Sequence, residues 1–203
     1  MDINKYTYVN QIIVSGNIEM DVTGFLLQND RKKTLEHAMA VAKRNIEIAE
    51  KFHLDKKICA VSAYLHDISA VIRPIDMLNY MKEKNLYMDE AEYEYPFILH
   101  QRISMLLAKT FFNVDDERVL SAIECHSTLK SNPGRYDMAL FISDKLSWDQ
   151  KGIPPFFDIV NERLCDSLEK ACLTYINHII DNNMILYPHT WLLEAKASLE
   201  KMN

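Results

Sequence analysis

Apolar positions recur along this chain at helical intervals, in blocks separated by short polar breaks. Leu35, Ala38, Val41, Ala42, Ile46 and Ala49 lie three or four residues apart and predict an amphipathic helix over 33–52, with Thr34 or Asp30 as its cap. Leu54-Asp55 opens a second run through Ile58, Val61, Ala63 and Leu65 that ends on the pair His66-Asp67, with Pro74 soon after. Upstream, a short helix is expected over 17–27, stopping near Asn29-Asp30. Downstream, 75–84 reads as a helix, and 85–95 as an acidic, tyrosine-rich connection that could border a substrate opening. After Pro96 a helix runs through Ile103, Leu106, Leu107 and Phe111, and Asp115-Asp116-Glu117 opens another that ends on His126. A polar loop over 127–136 precedes a helix over 138–148 that carries Asp144. One long amphipathic helix over 155–183 and a short one over 190–202 close the pattern.

An all-α fold follows, a single helical bundle of 203 residues with a metal centre in its core. Only 4 Gly and 6 Pro punctuate the chain, and 48% hydrophobic residues are enough for one sizeable core. The expected divisions are a helical lead-in (1–32), a metal-binding catalytic core (33–150) and C-terminal helices packing on the same domain (151–203). Cys59, Cys125, Cys165 and Cys172 show no paired spacing, and a basic, apolar, small-residue leader pattern is missing from the first residues, so a reduced, cytoplasmic protein is expected. No apolar run approaches the roughly 20 residues that span a bilayer. The net charge of −6 argues against nucleic acid as a partner, so any attraction for phosphate must be local.

The candidate chemistry lies in six side chains: His37, His66, Asp67, His100, His126 and Asp144. Neutral imidazoles and carboxylates suit iron, manganese, zinc or cobalt, and a two-metal centre takes roughly six protein ligands with one of them bridging. Adjacent residues on a helix point about 100° apart. His66 and Asp67 therefore both reach a metal only where the helix is ending, as their position predicts. Taken singly, His37 reads as a helix-start residue, His100 as a core histidine and His126 as a cation at a helix C-terminus. Asp144 sits among Phe141, Ile142 and Leu146, where an unpaired carboxylate is costly and a metal would offset that cost. His53, His178 and His189 match no element of the set and are expected in surface or packing roles.

The elements Glu36-His37, Leu65-His66-Asp67, Leu99-His100, Ala122-Ile123-Glu124-Cys125-His126-Ser127-Thr128 and Ser143-Asp144-Lys145 together resemble the HD-domain phosphohydrolase superfamily. Their contexts are most similar to the symmetrical bis(5'-nucleosyl)-tetraphosphatase branch, and the resemblance covers about residues 33 to 150. Ser69-Ala70, Leu129 and Lys145 to Gln150 depart from that branch, which commonly has a lysine after the His-Asp pair, a glycine after the His-Thr-Thr element, and Glu-Pro-x-Arg after the last aspartate. The resemblance implies two metal ions, with iron favoured and manganese, cobalt or zinc as alternatives. His37, His66, Asp67 and Asp144 would hold one, and Asp67 would bridge to a second held by His100 and His126. It also implies cleavage of diadenosine tetraphosphate to two ADP by a hydroxide between the metals, with His66 and Asp67 at the catalytic centre.

Lys130, Arg135 and Lys145, in or beside the loop after His126, are the residues expected to clamp polyphosphate, with a solvated surface role as the alternative for each. The expected partner is a small-molecule nucleotide, and a homodimer is compatible with this reading. Three other activities fit the same residues: a nucleoside mono- or triphosphate hydrolase, an oxygen-activating di-iron enzyme, and a non-catalytic nucleotide sensor.

Overall fold

The computed structural model describes residues 1–147 and 151–202, so Trp148, at the end of the helix expected over 138–148, lies outside the described residues. The fold is all-α as expected, with eleven α-helices and no strand among the described residues. They are α1 (Ile18–Gln28), α2 (Lys32–Phe52), α3 (Lys56–Leu65), α4 (Pro74–Glu83), α5 (Glu90–Glu94) and α6 (His100–Thr110). After these come α7 (Glu117–Glu124), α8 (Arg135–Leu146), α9 (Phe157–Leu164), α10 (Leu168–Asp181) and α11 (Thr190–Met202). Short 3-10 turns at Ile68–Val71 and Pro96–Leu99 join α3 to α4 and α5 to α6.

Cap chemistry sets most of the boundaries. Asn17, Asp55, Asp116 and Ser167 each accept a backbone N–H of the first turn they precede. The cap expected for α2 is absent: Asp30 is in the left-handed region at φ 56° and Arg31 is the capping position, with no side-chain bond. Asp30 serves instead to terminate α1, where the Arg31 N–H returns to the Leu26 carbonyl at 2.9 Å. His53 plays the same stopping part for α2, left-handed at φ 53°.

Two further expectations are corrected. The stretch over 155–183 is two helices, because Ser167 adopts an extended backbone and caps α10 through the Lys170 N–H. The loop after His126 is shorter than expected, since the Asp137 carboxylate accepts the Gly134 N–H at 2.8 Å and starts α8 at Arg135. Within 85–95, Asp89 and Glu92 form a reciprocal cap that makes the short α5.

The buried apolar side chains form two clusters. The first gathers Phe25, Val41, Leu65, Leu99, Leu107 and Ile123, and the second Ile48, Phe141, Phe156, Leu168, Ile176 and Leu199. α2 and α8 take part in both, α2 through Val41 and Ile48 and α8 through Leu140 and Phe141. These two shared helices carry His37 and Asp144.

Candidate metal centre

Five elements deliver the six side chains to one place. His37 comes from the second turn of α2, His66 and Asp67 from the point where α3 ends, His100 from the start of α6, His126 from just beyond α7 and Asp144 from α8. His37 Nε2 lies 3.0 Å from Asp144 Oδ1, and His66 Nε2 lies 3.7 Å from the same oxygen. Asp67 presents its two oxygens in different directions. Oδ2 is 3.4 Å from His66 Nε2, whereas Oδ1 is 3.4 Å from both His100 Nε2 and His126 Nε2. Two groups of donors result, His37-His66-Asp67 and Asp67-His100-His126, with Asp67 common to both.

Three imidazoles are oriented by the same device. His66, His100 and His126 each place Nδ1 against the carbonyl three residues earlier, Ala63 at 2.6 Å, Phe97 at 2.7 Å and Ile123 at 2.8 Å. A carbonyl can only accept, so Nδ1 carries the proton and Nε2 is left as a lone pair aimed inward. Burial lowers His66 and pushes His100 down to about 4, which keeps both neutral, the form that can hold a metal, at neutral pH.

The donor set fits a cation. His66 Nε2 is buried without a hydrogen-bond partner, and His100 Nε2 and His126 Nε2 face each other 3.0 Å apart. Two such lone pairs repel unless something positive sits between them. Donors about 2.0–2.2 Å from one ion lie roughly 2.8–3.6 Å apart at octahedral or tetrahedral angles, and most of the separations here fall in that window. Burial alone would raise Asp144, but Lys145 with His37 beside it holds the group below the usual carboxylate range. Lys145 itself stays charged despite burial because Asp144 Oδ2 is 2.6 Å away.

Buried polar neighbours of these side chains hold the elements in register. Gln101, next to His100, accepts the N–H groups of Ser127 and Thr128, next to His126, at 3.0 and 3.3 Å. Ser69 donates to the His100 carbonyl at 2.9 Å and accepts from Ser104 Oγ. Asn45 on α2 donates to the Cys59 carbonyl of α3 and accepts from Ser143, the neighbour of Asp144, at 3.0 Å. Fully satisfied buried networks of this kind rigidify the site they surround.

Two cavities open onto the cluster, of about 380 and 360 Å³, and share His37, Asp67, Phe97 and His100. The first is bordered by Arg31, Lys33, Thr34, Ile72 and Met77, the second by Lys145, Ser127, Phe156 and Tyr175. Of the three basic residues expected at the phosphate, Lys145 alone is in a cavity wall. Lys130 and Arg135 line neither of these cavities: Lys130 donates to Ser121 Oγ at 2.7 Å and Arg135 to the Phe52 carbonyl at 2.7 Å, whereas Arg31, which does line one, donates to the Ala70 carbonyl at 2.7 Å. The cavities hold Arg31, Lys33 and Phe97 instead, none of them singled out by the sequence pattern. A signal existed for two of them: Lys33 lies one helical turn before His37, and Phe97 one turn before His100, against which its ring stacks at 4.8 Å.

A family model described as the HD domain matches residues 34–149. The chain belongs to the HD domain family. Among relatives of this HD-domain chain, a protein of Lactococcus lactis subsp. cremoris, called an uncharacterized protein in the pepC 5' region, is 38% identical over 147 residues, covering 72% of this chain and 75% of the relative. A Halalkalibacterium halodurans protein named bis(5'-nucleosyl)-tetraphosphatase, symmetrical, is 21% identical over 168 residues, 82% of this chain and 89% of its own length. The HD fold is matched by the crystal structure of a protein from Clostridium acetobutylicum, described as a predicted HD superfamily hydrolase involved in NAD metabolism. That match has a TM-score of 0.79 at 21% identity, over 90% of this chain and 96% of that one.

Proposed function

We propose that this HD-domain chain is a metal-dependent hydrolase of nucleotide polyphosphates, acting in the cytoplasm, and that its substrate is a dinucleoside tetraphosphate cut symmetrically into two nucleoside diphosphates. The observation that carries the reading is Asp67, one carboxylate turned toward two separate sets of imidazoles at the floor of two joined cavities. His37, His66, Asp67 and Asp144 would hold one ion, and Asp67, His100 and His126 the other. When bound, the ions, iron in first place, would acidify water and neutralise charge on the phosphoryl oxygens.

The chain's own groups supply orientation. Asp67 and His66 fix the donors at the centre, the Nδ1 protons of His66, His100 and His126 are held by carbonyls, and Lys145, Arg31 and Lys33 face the phosphates from opposite cavities. Water adds to one central phosphorus, the bridging oxygen leaves with the other diphosphate, and the proton passes to solvent. Because a nucleoside diphosphate leaves readily, no general acid is needed.

Two cavities that share one reacting centre suit a substrate with a nucleoside on each side of its scissile bond, and the name of the Halalkalibacterium relative supports the same substrate. The test is metal analysis of protein purified without chelators, followed by product chromatography with diadenosine tetraphosphate, ATP and AMP. ADP as sole product of the dinucleotide is expected. ATP plus AMP from it, or no turnover with iron, manganese or cobalt, would overturn the reading.

A further inference from the structure

A third cavity, of about 520 Å³, lies beyond the second and shares with it the side chains of Phe156 and Tyr175. Phe156 is buried and meets the Tyr175 ring edge-on at 4.9 Å, so these two aromatics form the partition between the cavities. On the far side the walls are Tyr95, Ile98, Ile185 and Tyr187, and among the described residues no Lys, Arg, Asp or Glu lines this cavity. The rim is apolar and open to water. Leu186 is 80% exposed, and Tyr95 and Met184 are about half exposed. This chemistry is the reverse of that at the first cavity, where Arg31 and Lys33 stand beside the cluster. An uncharged, aromatic-walled space suits a flat heterocycle and repels nothing but charge, while tyrosine hydroxyls can meet the polar edge of a base.

We propose that this cavity binds one nucleobase of the substrate, with Phe156 and Tyr175 separating the base from the phosphates held near Asp67 and Lys145. The inference rests on the nucleotide-polyphosphate reading, and deepens it by naming where one of the two nucleosides lies. Aromatic stacking on a base is worth a change of roughly tenfold in affinity.

Two variants from different segments test it, Tyr95→Ala, which removes a wall, and Ile185→Trp, whose indole takes the space of a base. Adenosine binding to the whole protein, read by saturation-transfer NMR, is expected for the parent chain and lost or weakened in both. With diadenosine tetraphosphate, KM is expected to rise about tenfold in either variant, while turnover of inorganic tetraphosphate, which has no base, stays unchanged. Adenosine that binds both variants as it binds the parent, or fails to bind the parent, overturns the proposal, as does an equal defect with inorganic tetraphosphate. A parent protein that binds adenosine in this cavity but cuts no dinucleoside polyphosphate would sink the functional reading and leave the base site standing.

Discussion

Replacing Asp67 by Asn separates a shared ligand from an ordinary one. The carboxylate faces His66 with one oxygen and His100 and His126 with the other, each at 3.4 Å, so one substitution disturbs both groups of donors. Substituting His126 by Ala disturbs one group. An ion present at about 100 times its Kd stabilises the native state by roughly 2.7 kcal/mol, so two ions contribute about 5 kcal/mol. For a chain of this length each kcal/mol moves Tm by about 2–4 °C, which makes the metal-induced rise about 10–20 °C. Losing a direct ligand should weaken an ion by at least the 10–100-fold that an outer partner is worth. At about 100-fold, the ion's contribution falls to roughly 0.4 kcal/mol. Asp67→Asn should then show a rise of only about 2–3 °C, and His126→Ala about half the parent's rise. Chelator-stripped proteins titrated with Mn²⁺ in a thermal-shift assay supply the comparison. Equal losses in the two variants, or an undiminished rise in Asp67→Asn, would refute the bridging role.

Three further outcomes follow from the geometry. Arg31→Ala and Lys145→Ala should each lower kcat/KM for the tetraphosphate by about tenfold or more, the worth of a charge-assisted contact, whereas Lys130→Ala and Arg135→Ala should leave it unchanged, as steady-state kinetics will tell. Gln101→Leu, which unties the loop after His126 from α6, should cost about 10–100-fold in metal affinity with the far-UV circular dichroism spectrum retained. Burial would raise the Asp21 carboxyl, but hydrogen bonds from Ser15 and Gly16 outweigh it and hold the group below its usual value. Its stabilisation is thus present above the unfolded carboxyl's value near ~3.9 and lost as pH falls through the lower folded value. Asp21→Asn should therefore cost about 1–3 kcal/mol at pH 7, a deficit that closes below pH ~4 in thermal melts across pH.

Much of this protein is local and so could be read from the chain alone. Helices α2, α3, α7 and α11 follow the three- and four-residue spacing of their apolar positions, because a helix buries one stripe whatever it packs against. The breaks at Asp55 and Asp116 follow from short polar side chains that bond backbone N–H groups two or three residues on. The candidate side chains could be picked out for a related reason. His37, His66, Asp67, His100, His126 and Asp144 follow the order and local contexts of an HD-type set, and His66-Asp67 were expected where a helix stops, as α3 does at Leu65.

The orientation of side chains across the bundle was decided by tertiary structure. Lys145 faces the cluster from α8, whereas Lys130, in the loop before that helix, is drawn away by Ser121 and Asp137. Arg31 and Lys33 reach the cavity because α1 ends in a left-handed Asp30 that sets how α2 begins, and that conformation left no mark in the hydrophobic pattern. The split of Asp67 between two sets of imidazoles depends on five elements converging within a few ångströms. Spacing along one helix carries no information about the distance to another, so that division was settled by packing and by the buried bonds of Asn45, Ser69 and Gln101 that hold the elements together.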